Sequence, residues 1–310
     1  MRKVALILMG LALCAGFAQA QAINNLNEQG SLLVYPLVDN TQGKSTIIEI
    51  TNRGNAGVWV QGFMIVRKPG DLECDFVKKD FYLHLTAQEP LYWNTSGPYN
   101  RRDADGVLSQ VQSFAGYEGF CFVWAIDSNL SKLEIDWDFL KGDGLLIDGA
   151  RAMQYNAIPH QGLRVIGDRT LNLDGVEYTM APSQIMVEGF AVGVVDGGYL
   201  AIASLCIDFV LSIQPEMDIN VDVWNQEEVG QSRHVDFCQW KKYDLDADLQ
   251  VGIEDIFTAK WQLATTATGP VWAVFYQYLG SYGAGGNVWQ HPASGRACAV
   301  VLPPVPLPVK

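Results

Sequence analysis

The stretch Asp218-Ile219-Asn220-Val221-Asp222-Val223 alternates an acid or amide with a branched aliphatic at every step. Successive side chains of a strand point to opposite faces, so this period of two describes a strand with one wet face and one buried face. Outward from it, β-branched and aromatic residues recur in Leu32–Val38, Ser45–Thr51, Val58–Val66, Phe76–Leu85, Phe120–Ile126, Ile185–Ala191, Tyr199–Ser212, Arg233–Tyr243, Lys260–Ala264, Val271–Tyr278 and Cys298–Leu302. Turn signals separate these runs: Arg53-Gly54-Asn55, Lys68-Pro69-Gly70, Lys141-Gly142-Asp143-Gly144, Asp174-Gly175, Asp196-Gly197-Gly198 and Gly283-Ala284-Gly285-Gly286. Helical spacing is confined to Val107–Phe114 and Glu254–Lys260. The pattern predicts an all-β protein with very little helix, an antiparallel β-sandwich of the immunoglobulin-like or jelly-roll-like kind. A parallel sheet would need crossover helices, and these are missing. The irregular stretch from Pro159 to Thr170 leaves two organisations open. One is a single elaborated sandwich; the other is two adjacent ones, at residues 21–160 and 161–302. Residues 303–310 form a proline-rich tail, extended by its composition.

The first twenty residues predict the compartment. Arg2 and Lys3 precede an uncharged apolar run, Val4 to Ala18, and Ala18-Gln19-Ala20 supplies the small-x-small cleavage pattern. Residues 1–20 therefore read as a signal peptide removed on export, to the periplasm, the cell surface or beyond. A bulky Leu13 before Cys14 argues against lipid attachment there. The run is short for a membrane span, which takes about 20 apolar residues, and no second run reaches that length. The net charge of −13 becomes more negative once Arg2 and Lys3 are gone. Nucleic acid and anionic lipid select for Lys and Arg, so neither is an expected partner.

Beyond residue 20 the cysteines are Cys74, Cys121, Cys206, Cys238 and Cys298. Disulfides form in an oxidising compartment, and an odd count leaves at least one thiol over. Cys206 with Cys238 is the first choice, because each sits in a strong strand pattern. Cys74 with Cys121 is the second. The alternative is that several are simply small buried residues.

Gly30-Ser31-Leu32-Leu33-Val34-Tyr35-Pro36, followed by Ile47-Ile48-Glu49-Ile50-Thr51-Asn52, resembles the opening of a group of exported bacterial β-rich proteins with no assigned activity. Phe139-Leu140-Lys141-Gly142-Asp143, Tyr155-Asn156-Ala157, Val223-Trp224-Asn225-Gln226-Glu227-Glu228 and Phe237-Cys238-Gln239-Trp240 extend the resemblance over most of the exported chain. It implies a secreted bacterial β-protein and brings no catalytic residue with it.

Chemistry is sparse. Asp244, Asp246 and Asp248 stand at alternate positions, with Asp255 at position twelve of the same stretch. Carboxylates so spaced can converge on Ca²⁺, which takes six to eight oxygens. Leu249 occupies the position where such a loop wants Gly, and the acids also alternate with Leu245, Ala247 and Leu249 as they would on a solvated strand edge. Asp103-Ala104-Asp105-Gly106 reads as a turn leading into a short helix at Val107. His84, His160, His234 and His291 fit no two-histidine zinc motif, and no Gly-x-Ser-x-Gly elbow exists. Trp272, Tyr276 and Tyr278 share one strand face, with Trp289 on the next segment. Facing outward they would form a stacking platform for sugars; facing inward they are core, which Val274 in the same row favours. The reading that follows is a non-enzymatic secreted or cell-surface β-sandwich with a structural, adhesive or binding role, self-associating or bound to another surface protein. The alternatives are a carbohydrate-binding module stabilised by Ca²⁺, with a glycan as partner, and a secreted hydrolase whose site assembles in space. No cofactor other than Ca²⁺ is suggested.

Overall fold

The computed structural model describes residues 29–190, 197–225, 230–245, 247–248, 261–267, 269–279, 282–286, 288–290 and 295–304. Residues 1–20 and 305–310 lie outside the described residues. Every regular element among the described residues is a strand. In chain order these are β1 Leu32–Asp39, β2 Lys44–Asn52, β3 Val58–Arg67, β4 Val77–Leu85, β5 Pro90–Asn94, β6 Tyr99–Arg102, β7 Leu108–Val111, β8 Glu118–Ile126, β9 Leu140–Asp148, β10 Arg151–Asn156 and β11 Ile158–His160. Two short strands follow, β12 Thr170–Leu173 and β13 Ala181–Pro182. Then come β14 Gln184–Phe190, β15 Gly197–Ala203, β16 Glu216–Asn225, β17 Gly230–Cys238, β18 Trp240–Asp244, β19 Trp261–Ala267, β20 Trp272–Leu279, β21 Tyr282–Gly286, β22 Val288–Gln290, β23 Gly295–Arg296 and β24 Cys298–Val301.

The larger sheets run β10-β9-β2-β5, β11-β1-β8-β3-β4, β18-β15-β20-β21 and β17-β16-β19-β14-β22, with every ladder antiparallel. The first two come from residues before 161 and the last two from residues after 183, and no ladder joins the two sets. The decisive stretch behaves as its alternation predicts. Ile219, Val221 and Val223 are buried, while Asp218, Asn220 and Asp222 face outward beside Ser232 and His234 of β17. Their inward row packs with Ile185, Val187, Leu200, Ile202, Tyr243 and Phe275 into a core private to the second set of sheets.

A larger apolar cluster spans both sets. It joins β1, β3 and β8 to Leu171, Leu205, Trp240, Trp272, Val274, Tyr276, Tyr278 and Val300. Strands β15 and β20 are thus largely buried on both faces, as is β1 along its whole length. The aromatic row of β20 is therefore core: Trp272, Tyr276 and Tyr278 are at most 3 % exposed, packed toward β1 rather than toward solvent. This corrects the platform reading for those three. Trp289 pairs through its backbone with Met186, and its side chain lies outside the described residues.

One irregularity shapes the junction. The β1–β8 register slips between Tyr35 and Val38, so one extra residue sits in β1. A bulge of one residue reverses the faces beyond it. Asp39 consequently lies opposite Glu118, and its carboxylate meets Lys242 of the second set as well as Lys44 of β2. The carbonyls released by the bulge are satisfied by side chains. Trp240 Nε1 donates to Pro36 O at 2.7 Å, and Tyr155 Oη donates to Leu37 O.

Several local expectations are corrected. Val107–Phe114 is no helix: Leu108–Val111 is β7, hairpinned to β6 by a turn in which Gly106 has φ 80° and Val107 N donates to Asp103 Oδ1. The Glu254–Lys260 candidate lies outside the described residues. Lys141-Gly142-Asp143-Gly144 is mid-strand in β9. Its glycines serve packing, since a Cβ would meet Tyr35 Oη at 2.0 Å at position 142 and the Tyr155 ring at 2.1 Å at position 144. Gly283–Gly286 likewise belongs to a strand, β21, paired with β20. The run Arg233–Tyr243 breaks at Gln239, whose φ of 54° lets the chain leave the β17 sheet and enter the β18 sheet.

The cysteine pairing is corrected as well. The disulfides are Cys74–Cys238 and Cys206–Cys298, with Cα separations of 5.1 and 5.4 Å, and Cys121 is a free buried thiol. Cys206 lies past the end of β15, and β17, which carries Cys238, belongs to the opposite sheet. Cys121 shares its face of β8 with Tyr35 and Met64, inside the first sandwich, whereas Cys74 sits in the β3–β4 loop. No helix among the described residues is long and apolar enough to cross a membrane.

Candidate functional site

The predicted calcium stretch is only partly described. Asp246 and Asp255 lie outside the described residues. Asp244 ends β18, and its Oδ1 accepts from Ala247 N at 3.0 Å. Asp248 Oδ2 accepts from Asp244 N at 2.7 Å. These two carboxylates therefore close a turn.

Each described histidine is held by a specific neighbour. His234 stands on the outer face of β17, with Nδ1 3.1 Å from Asn220 Oδ1. His84 Nδ1 lies 2.5 Å from Asp103 Oδ2 and its ring packs against Trp59. The His84 backbone N–H takes the Ser109 hydroxyl oxygen, and among the described residues no hydroxyl or thiol bonds its imidazole. His160 is fully buried at the junction of the two sheet sets. Trp272 Nε1 donates to His160 Nε2 at 2.8 Å, so Nε2 is an acceptor; Nδ1 carries the proton and donates to Thr179 O at 3.0 Å. Burial holds its pKa down at about 4, against an ordinary 6.5.

That neutral imidazole carries a pH dependence. The unfolded chain takes up a proton near pH 6.5 and the folded chain only near pH 4. The His160 contribution is therefore complete above the first value and is lost as pH falls toward the second, by about 3 kcal/mol in all. Half-buried carboxyls whose pKa desolvation raises, Asp138 and Asp143 among them, work in the opposite sense. The check is a difference measurement: urea unfolding of wild type and His160→Gln at pH 7 and pH 4.5. The variant is expected to lose stability less steeply with acid.

The densest unexplained polar group lies in the segments flanking β12. Glu134 follows β8, to which it is bridged through Ile126. Asp168 and Glu177 lie on either side of β12, and Gly162 is bridged to Tyr178. Arg169 adopts φ 72°, which aims two consecutive backbone N–H groups at one oxygen. Arg169 N and Thr170 N donate to Glu134 Oε1 at 2.5 and 3.3 Å. Asn172 Nδ2 donates to Glu177 Oε2 at 2.6 Å, and Thr170 N also donates to Asp168 Oδ1 at 2.9 Å. Carboxylate oxygens of Glu134, Asp168 and Glu177 lie within 4.8 Å of one another. Glu134 and Glu177 are 2 % and 3 % exposed, and burial pushes both carboxyls up from their ordinary range. The Arg169 guanidinium is turned elsewhere, donating through Nη1 to Gln61 Oε1 and Lys132 O and through Nη2 to Pro303 O. No spacing rule finds this trio, because 43 residues separate its first and last members.

No family model matches the chain. No curated protein matches it either. Among solved structures, a crystal structure of Thermotoga maritima 1070 is similar over 37 % of this chain and 98 % of its own, at 12 % identity and a TM-score of 0.28.

Proposed function

We propose that this is an exported, non-enzymatic β-sandwich protein with a structural or adhesive role, acting by self-association. The observation that carries the reading is a set of exposed aliphatic side chains. Leu163, Ile166 and Val176 lie on one loop system and Val210, Leu211 and Ile213 on another, each between 49 % and 68 % exposed. Both systems flank one ribbon: Thr170 of β12 pairs with Val301 of β24, and Val301 is bridged to Asp208. Exposed aliphatic surface, where it is contiguous, marks sites of protein association, and the shared ribbon is the reason to test these two loop systems together. Export is supported by the pattern of residues 1–20 and by two disulfides, which persist in oxidising compartments. The strand-and-turn resemblance to exported bacterial β-proteins points the same way.

The test is the native size of residues 21–310, by light scattering with electron microscopy across a concentration series. Wild type is expected to form a defined oligomer or larger assembly. Leu211→Asp and Ile166→Asp, at exposed positions that leave the core alone, are expected to weaken association about tenfold or more, since a buried aliphatic side chain contributes about 1.5–3 kcal/mol. A monodisperse wild-type monomer at every concentration would overturn the reading.

A further inference from the structure

We propose that Glu134, Asp168 and Glu177 bind a single Ca²⁺ ion, which pins the crossing between the two sheet sets to the loop after β8. The argument starts from two orphaned atoms. One oxygen of each buried glutamate is used: Glu134 Oε1 by two backbone N–H groups, Glu177 Oε2 by Asn172. The other two, Glu134 Oε2 and Glu177 Oε1, are buried with no hydrogen-bond partner. A buried carboxylate oxygen without a partner is strongly unfavourable, and protein interiors resolve it with a proton, a cation or a water. Here the two orphans belong to residues whose ligand atoms already converge with a third carboxylate, and that third residue, Asp168, is exposed and gives the cluster a route to solvent.

Charge and size select the occupant. The three carboxylates are offset only in part by the Arg169 guanidinium, whose charge acts on Asp80 as well as on Glu134, so a divalent cation is a fitting counter-charge. The donors are all oxygen, which suits hard cations and not the softer metals that take thiolate or imidazole. Ca²⁺ sits about 2.3–2.6 Å from its ligands, so oxygens of one shell stand up to about 5 Å apart. The trio's oxygens, all within 4.8 Å of one another, are compatible with that shell. Mg²⁺, at about 2.1 Å, seldom gives up its water for three carboxylates. The remaining positions of the shell would be filled by water on the Asp168 side.

The consequence is mechanical. Glu134 belongs to the loop between β8 and β9, whereas Asp168 and Glu177 bracket β12, whose partner β24 carries Cys298 of a disulfide. An ion at this point clamps the segment that leads from one pair of sheets to the other. The inference is independent of self-association, since a monomer can hold the ion as well as an oligomer.

The experiment uses residues 21–310 stripped of metal by chelator. Calorimetric titration with CaCl₂ and thermal unfolding with and without about 10 mM CaCl₂ are the readouts. Wild type is expected to bind one ion, and its Tm to rise by about 5 °C if the affinity is near 0.1 mM. Glu177→Gln and Asp168→Asn are expected to remain folded and to lose the shift. Asp168→Asn, at an exposed position, covers the case in which the buried variant does not fold. Asp244→Asn is expected to retain the full shift. No calcium-dependent heat or Tm change in wild type would overturn the proposal and assign a shared proton to the pair. A shift abolished by Asp244→Asn and kept by Asp168→Asn would overturn it in favour of the turn after β18.

Discussion

Removing the two disulfides together is expected to lower Tm by about 10–30 °C, enough to unfold much of the chain at 37 °C. Loss of a native bridge costs about 2–5 kcal/mol, so two such losses reach the stability of an ordinary domain, about 5–15 kcal/mol. The bridges close stretches of 164 and 92 residues. Loop entropy grows only with the logarithm of length, so the longer bridge gains just about 0.5 kcal/mol over the shorter. What separates them is position. Cys74 lies in the β3–β4 loop and Cys238 ends β17, so that bridge ties one set of sheets to the other. Cys206–Cys298 anchors β24, and through it β12, to the loop after β15. The check is urea unfolding of Cys74→Ser/Cys238→Ser and of Cys206→Ser/Cys298→Ser against wild type, with peptide mapping of the oxidised chain. Thiol titration is expected to find no reactive group in native residues 21–310 and one, Cys121, after denaturation without reductant. A free Cys298 would contradict this connectivity.

Strand positions were legible because a two-residue period survives any topology. Asp218–Val223 needs only to know that one face is wet, and β1, β2, β3 and β8 begin and end within a few residues of their apolar runs. Glycine misled where its role was packing and not turning. Gly142 and Gly144 carry the residues of a turn, but they are strand positions emptied of side chain so that Tyr35 and Tyr155 can lie against the backbone. Tyr35 is invisible as the partner of Gly142 from sequence, because more than a hundred positions separate them, whereas Tyr155 comes from the adjoining strand β10.

The junction was the least legible part. A bulge in β1 cannot be read from Leu32–Asp39, yet it decides that Asp39 faces Glu118 and Lys242. Likewise the row Trp272, Val274, Tyr276, Tyr278 announces a continuous apolar face but not what covers it. Its cover is the other pair of sheets. The acid trio at Glu134, Asp168 and Glu177 depends on that same long-range arrangement, whereas the regularly spaced acids from Asp244 were conspicuous because they were close in sequence. Disulfide pairing failed for a related reason, since strength of strand pattern says nothing about which sheet a strand joins.

Lys242→Met is expected to destabilise the chain by about 3–5 kcal/mol, the second large effect, because it strands a buried charge. Asp39 has no exposed side-chain surface and is held by Lys242 Nζ at 2.7 Å, Lys44 Nζ at 3.2 Å and Thr41 Oγ1 at 2.6 Å. Lys242 also reaches Glu118 at 3.3 Å. Burial raises the Asp39 pKa, the two lysines more than reverse this, and the net direction is down. Burial likewise opposes the Lys242 charge, and Asp39 with Glu118 overcomes it. Both partners are thus stabilised as ions, which a buried pair achieves only with good geometry. Methionine keeps most of the stem of Lys242 and removes its charge, so the loss reports electrostatics more than packing. Lys44 remains on Asp39 in that variant and places the cost toward the lower end of the range. Asp39→Asn alone is expected to destabilise too, since Lys242 is then left with Glu118 only. The decisive measurement is the double variant Asp39→Asn/Lys242→Met by urea unfolding. It is expected to cost at least 1 kcal/mol less than the sum of the single changes, the signature of directly coupled residues. Because the pair is shielded from solvent, that coupling is expected to persist in high salt, where surface ion pairs fade. Additive single effects would instead mean that each residue serves its own half of the molecule, and that the ion pair does not help to hold the two halves together.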